Sequence, residues 1–183
     1  MLRVIGGLYK GRKLKTIKDP DLKPTKDIVK ETLFNILGNE AIRNSCFLDG
    51  YAGTGNIGIE AFSRGAREVF FIEISRKFAR IIKENLDLCG IYKNYKLIIN
   101  EFNRGVIEIS KMRKSFDLIF LDPPYEILSE RDPLKVIKKR DILKKDGLII
   151  LEHSKKIQFE TKYFKLKNLR KIGDTALSFF VHY

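Results

Sequence analysis

The sequence predicts a doubly wound α/β fold: a mostly parallel seven-stranded sheet with an antiparallel carboxyl-terminal strand, preceded by a short amino-terminal β-hairpin. Three observations carry this. Short apolar runs alternate with helical patterns from Cys46 onward, a glycine-rich turn follows the first run, and the chain ends in two strand-like segments joined at Gly173-Asp174. At 183 residues, 44% of them hydrophobic, the chain suits one packed domain rather than two domains or a disordered chain. It divides into a basic extension over residues 1–24 and an α/β unit over residues 25–183.

Leu2 to Ile5 and Arg12 to Thr16 read as two short strands joined through Gly6, Gly7 and Gly11, a hairpin carrying Arg3, Lys10, Arg12, Lys13 and Lys15. Pro24 disfavours helix at Lys23, and Thr25 caps a helix from Lys26 to about Leu37 that turns Ile28, Leu33, Ile36 and Leu37 toward the core. Cys46 to Leu48 is a strand, Gly53 to Gly55 a tight turn, and Ile57 to Arg64 a helix stopped by Gly65. Val69 to Ile72 is the second strand. Ser75 caps a helix through about Leu88, with Phe78, Ile81, Ile82, Asn85 and Leu86 as its mostly apolar stripe.

Leu97 to Ile99 is the third strand, followed by a helix near Val106 to Met112. Asp117 to Leu121 is apolar enough for a central parallel strand. A helix falls between Pro133 and Arg140, and Leu148 to Leu151 is the fifth strand. Tyr163 to Ile172 and Ala176 to Val181 close the sheet as a hairpin.

A net charge of +13 and a pI near 9.7 favour a polyanionic partner, because Lys and Arg displace the counterions condensed on nucleic acid. The basic hairpin then reads as an RNA-gripping arm. A solvated Lys-rich surface would give the same charge, as would the cluster Lys135, Lys138, Lys139, Arg140, Lys144 and Lys145, which we read as a solvated face. No segment approaches the roughly 20 apolar residues of a membrane span, and Met1 to Gly7 lacks the features of a secretory signal, so residence in the cytoplasm is expected. Cys46 and Cys89 lack metal-ligand spacing and read as buried free thiols.

Asp49 to Gly58 follows the first strand and opens a helix, where glycines let backbone amides approach a ligand. Read literally, Gly53-x-Gly55-x-x-Gly58 is a dinucleotide fingerprint, and Glu73 stands 20 residues after Gly53, where an acid can hold both ribose hydroxyls. Asp49 argues otherwise. A carboxylate ahead of the glycines repels a pyrophosphate and suits the cationic amino group of an amino-acid cofactor, such as the methionine end of S-adenosylmethionine. Tyr51, Ala52, Gly53, Thr54 and Gly55 would then line the cofactor, Glu73 would hold its ribose and Asn100-Glu101 its adenine. Thr25 joins them if its helix cap faces the cleft. The glycines can also serve turn and packing alone.

Asp122-Pro123-Pro124-Tyr125 directly follows the fourth strand and should emerge on the same sheet edge as the glycine-rich turn. An exocyclic base amine is a poor nucleophile because its lone pair is delocalised into the ring. The Asp122 carboxylate and the Pro123 carbonyl can each accept one of its N–H groups and turn the lone pair toward a sulfonium methyl, while the prolines hold the acceptors rigid. Tyr125 offers a ring for stacking the base. The competing reading is a plain strand exit. No metal is required. His153 follows a strand and reads as an incidental surface histidine rather than a base. The tetrapeptide serves adenine N6 in DNA as well as an amine in RNA, and the dinucleotide reading would make the chain an oxidoreductase.

The sequence resembles the class I, Rossmann-like methyltransferases, and more closely the bacterial family that methylates guanine N2 in small-subunit 16S ribosomal RNA. The likeness covers nearly the whole chain: Arg3 to Gly7 with Gly11 to Leu14, Lys23-Pro24-Thr25 with Val29 to Asn35, Asp49 to Gly55, Asp122 to Tyr125, and Gly173 to Ala176. Lys23 and Lys30 stand where that family is expected to carry Arg, and Asn100-Glu101-Phe102 replaces a small residue and Asp. The resemblance implies a monomer that uses S-adenosylmethionine and acts on a guanine of the rRNA within an assembling small subunit.

Overall fold

A computed structural model describes residues 2–16, 27–124, 128, 132–157 and 159–183. The elements are α1 (Asp27–Ile42), β1 (Cys46–Asp49), α2 (Asn56–Ser63), β2 (Glu68–Glu73), α3 (Arg76–Leu88), β3 (Tyr95–Ile99), α4 (Phe102–Lys111), β4 (Phe116–Leu121), α5 (Pro133–Arg140), β5 (Leu143–Ser154), β6 (Lys165–Ile172) and β7 (Thr175–Val181). The seven strands form one sheet in the order β3-β2-β1-β4-β5-β7-β6. β1 to β5 are parallel, and β7 lies antiparallel between β5 and β6. After β3 the chain returns across the sheet to β4 beside β1, so the order reverses between β1 and β4 and leaves a crevice above their carboxyl ends.

Side chains alternate along each strand, so each face of the sheet has its own core. Phe47, Phe71, Leu118, Phe120, Ile150 and Leu177 pack with α1, α2 and α3 on one face. Leu48, Ile72, Ile119, Leu121, Ile149 and Leu151 pack with α4 and α5 on the other. α2 lies close on the sheet because position 58 is glycine: a Cβ there would run into the Phe71 ring. Cys46 and Cys89 are buried free thiols.

Several boundaries move for identifiable reasons. Helix α1 continues past the expected end to Ile42, with a break at Gly38 (φ 70°). Its buried rows are Val29, Leu33 and Leu37 with Lys30 and Phe34, so the expected core residues Ile28 and Ile36 are 60% and 40% exposed. The four-residue rows that reach α2 decided the face. Thr25 and Lys26 lie outside the described residues. α4 starts a full turn early because the Glu101 carboxylate accepts from the Arg104 N–H as an N-cap. β5 is 12 residues long because Leu143 already pairs with Phe116, and the turn-like Lys144-Lys145-Asp146-Gly147 is absorbed through a register shift in the ladder.

The amino-terminal hairpin is shorter than expected. Leu2 to Ile5 and Arg12 to Thr16 run antiparallel about the Arg3–Lys13 bridge, joined by the Val4 N–H to Arg12 O at 3.0 Å and the Leu14 N–H to Leu2 O at 2.9 Å, and form no extended strands. Their apolar residues Leu2, Val4 and Leu14 enter the core, while Arg3, Lys10, Arg12 and Lys13 stay exposed. What holds this segment is Glu60 of α2, whose two oxygens accept the Ile5 and Gly6 N–H groups, each at 2.8 Å. Lys30 is fully buried beside it: its ammonium donates to the Arg3 carbonyl at 2.6 Å and to Asn56 at 2.8 Å, and lies 3.5 Å from Glu60. Arg64 closes on Glu60 at 2.9 Å.

Removing one partner of a buried, hydrogen-bonded ion cluster leaves an uncompensated charge. Glu60→Ala should therefore lower the unfolding free energy by about 3–5 kcal/mol, read from the midpoint of a urea titration, and an unchanged midpoint would contradict this assignment.

Candidate active site at the carboxyl ends of the parallel strands

The turn after β1 is built by backbone hydrogen bonds to both neighbouring strands. The Gly50 N–H donates to Phe120 O of β4 at 2.9 Å, and the Ala52 N–H to Ile72 O of β2 at 3.0 Å. Gly53 and Gly55 take positive φ, 51° and 76°, and Gly55 is the N-cap of α2. The Thr54 carbonyl accepts from the Asn85 amide of α3, whose own oxygen accepts the Lys15 N–H, so one polar residue in the α3 stripe ties the turn to the amino-terminal segment. Tyr51 stacks on Phe102 with ring centroids 4.8 Å apart.

Two acids occupy the amides of this turn. Asp49 is buried at the end of β1 and accepts the Gly58 N–H at 2.9 Å. Glu73, at the end of β2, accepts the Gly53 N–H on one oxygen at 2.7 Å and the Ser75 N–H on the other at 2.8 Å. In a dinucleotide site, turn amides of this kind face the pyrophosphate; here the Gly53 and Gly58 amides face carboxylates. Each carboxylate oxygen keeps a second lone pair, so both acids can still accept hydrogen bonds from a ligand.

Asp122 follows β4, half-buried, with Pro123 buried and Pro124 exposed; Tyr125 lies outside the described residues. Sequence reasoning missed a fourth acid, Glu152 of β5. Leu121 of β4 pairs with Leu151 of β5, so Asp122 and Glu152 are the next residues along two adjacent parallel strands and project to the same face. Glu152 is 8% exposed, and its Oε2 has no hydrogen-bond partner among the described residues. Its position inside a long strand, two residues before Ser154, hid it; an acid ending an apolar run, as in Leu148 to Glu152, was the available signal.

Asp49, Glu73, Asp122 and Glu152 thus stand at the carboxyl ends of β1, β2, β4 and β5, on the face that carries α1, α2 and the amino-terminal segment. Burial pushes the Asp49 carboxyl up to about 7, against the Gly58 N–H that favours its charge and with Asp122 and Glu73 adding repulsion. Burial also raises Glu73, against the Ser75 and Gly53 N–H groups. Burial raises Asp122, and burial with the Asp122 charge raises Glu152. A row of desolvated acids is an environment for a cation and a poor one for a pyrophosphate.

Other expected residues fall into plainer roles. The Asn100 N–H donates to Glu73 O and its side-chain oxygen accepts the Glu101 N–H, while the Glu101 carboxylate caps α4. His153 is a buried core residue rather than a surface one: it is 2% exposed and its Nε2 meets Ser178 Oγ at 2.8 Å, on the strand position whose side chain turns away from the acids. In the basic cluster, Lys144 pairs with Asp117 at 2.8 Å, and Lys135, Lys138, Lys139 and Arg140 are exposed on α5. A cavity of 1010 Å³ between α4, α5 and Tyr163 holds none of the expected site residues.

Comparison with known proteins gives this arrangement a context. Residues 2–181 match the model of a family described as Conserved hypothetical protein 95. The ribosomal RNA small subunit methyltransferase D of Haemophilus influenzae is 36% identical over 154 residues, 84% of this chain and 79% of that protein. The protein of the same name from Escherichia coli K12 is 30% identical over 151 residues, 82% of this chain and 74% of that one. A solved Haemophilus influenzae structure described as a methylase superposes with a TM-score of 0.77 at 31% identity, covering 98% of this chain and 97% of that chain. The chain therefore belongs to the Conserved hypothetical protein 95 family and is a relative of the bacterial proteins named ribosomal RNA small subunit methyltransferase D.

Proposed function

We propose that this protein transfers a methyl group from S-adenosylmethionine to the exocyclic N2 of a guanine in small-subunit ribosomal RNA. The observation that carries the reading is the acid-occupied glycine turn beside Asp122-Pro123-Pro124. When bound, the cofactor supplies an electrophilic methyl group on a sulfonium. Glu73 would hold the ribose hydroxyls, and Asp49 would give the cationic amino group its counter-charge. Asp122 and the Pro123 carbonyl accept the two N–H groups of the target amine and orient its lone pair. Tyr125, the last residue of the tetrapeptide, is assigned to stacking on the base from its place in the motif.

Small-subunit rRNA is favoured over DNA by the relatives' names and by the exposed Arg3, Lys10, Arg12 and Lys13, and guanine N2 over adenine N6 by the family resemblance of the sequence motifs. These lie on the segment docked over the face of the sheet to which the acids project. A net charge of +13 supports an RNA partner held by counterion release. We read the substrate as an assembling small-subunit particle in the cytoplasm, and the enzyme as a monomer.

Three outcomes test this reading. S-adenosylhomocysteine should bind in calorimetry with NAD(H) inert, and Glu73→Ala should weaken that binding at least about tenfold through loss of charged hydrogen bonds; tight NAD(H) binding would restore the oxidoreductase alternative. Asp122→Ala should cut methyl incorporation into small-subunit particles by about 100-fold while S-adenosylhomocysteine affinity stays within about threefold, an outcome that equal losses in both would refute. Arg12→Ala should weaken rRNA binding across sequences and reduce the salt dependence by about one counterion, read from the slope of log affinity against log salt.

A further inference from the structure

Glu152 has no part in the chemistry described so far, and its setting is costly: a buried acid, with one oxygen unpartnered among the described residues, beside a second acid. Among the described residues the charged group facing it is Asp122 from β4; from β7 its register partner is Leu177, and Asp49 and Glu73 face Asp122 and Asp49 in turn from β1 and β2. No described cation neutralises the pair within salt-bridge distance. Such a pair resists double ionisation and shares protons as a unit.

We propose that Glu152 is a positioning residue that acts through Asp122, holding the proton that leaves the target amine. This rests on the methyltransferase reading above. The amine nitrogen's lone pair forms the new N–C bond as the C–S bond breaks, leaving its electron pair on sulfur. Positive charge moves from sulfur to nitrogen. One N–H proton then leaves to the Asp122 carboxylate and passes to Glu152, which releases it to water as product departs. Before transfer, a sulfonium over the acid row favours the ionised pair; after transfer the sulfur is neutral and the pair binds a proton more tightly. Acceptor strength therefore rises at the moment the proton is released.

Glu152→Gln keeps the shape and removes the acceptor. On small-subunit particles it should lower kcat by about 100-fold and abolish the rise of kcat with pH expected of the wild type, with S-adenosylhomocysteine affinity unchanged; Glu152→Asp should restore part of the rate and the pH dependence. A second readout needs no activity. An acid raised in the fold binds more protons folded than unfolded, so wild-type stability falls as pH rises from about 4.5 toward about 9. At pH 8 Glu152→Gln should have a Tm at least about 2–4 °C above the wild type, and at pH 4 the difference should vanish. An unchanged kcat and pH profile, or a lower Tm at pH 8, would overturn the proposal. A wild type that methylates neither particles nor naked rRNA would overturn the reading beneath it, and the proposal with it.

Discussion

The in-register parallel pairing of β1, β2, β4 and β5 is the constraint on which the site depends. Parallel strands end on one edge, and a period of two sends every second side chain to one face. With Asp49 opposite Phe71 and Phe120, and Leu121 opposite Leu151, four acids from four separate segments are carried to the same edge and the same face. A slip of one residue in any ladder would turn its acid into the opposite core. The apolar residues beneath, buried on both faces, hold that register.

The glycine-rich turn shows how an ambiguous motif is resolved by what its amides meet. Gly53 and Gly55 supply positive φ, and position 58 lacks a Cβ so that α2 can sit on Phe71, as in a dinucleotide site. The difference lies in Glu73 and Asp49, whose carboxylates take the Gly53 and Gly58 N–H groups. The same backbone shape thus faces acids in place of phosphate, and its electrostatic preference changes sign.

A second polar centre joins the amino-terminal segment to this frame. Glu60 receives two backbone N–H groups and two cations, and Lys30 spans from α1 to the Arg3 carbonyl and to Asn56, the first residue of α2. A lysine ammonium donates in three directions from one point, which fits three acceptors gathered around it. The exposed cations of the segment consequently ride on a part of the molecule anchored to the helix that follows the glycine turn.

The sequence by itself determined the order of strands and helices, the glycine turn, the place of Asp122 on the same edge, and the family. These follow from local causes: apolar runs, a cap such as Ser75, glycine stops, and motif spacing. Only the tertiary structure decided the rest. It chose the buried face of α1 through contacts with α2, ended the amino-terminal hairpin at Val4, whose carbonyl takes the Gly11 N–H while the Arg12 N–H turns back to Tyr9 O, and buried His153 against Ser178. It also set Glu152 beside Asp122, thirty positions apart in the chain, because strand pairing is a long-range choice that no local window of sequence contains.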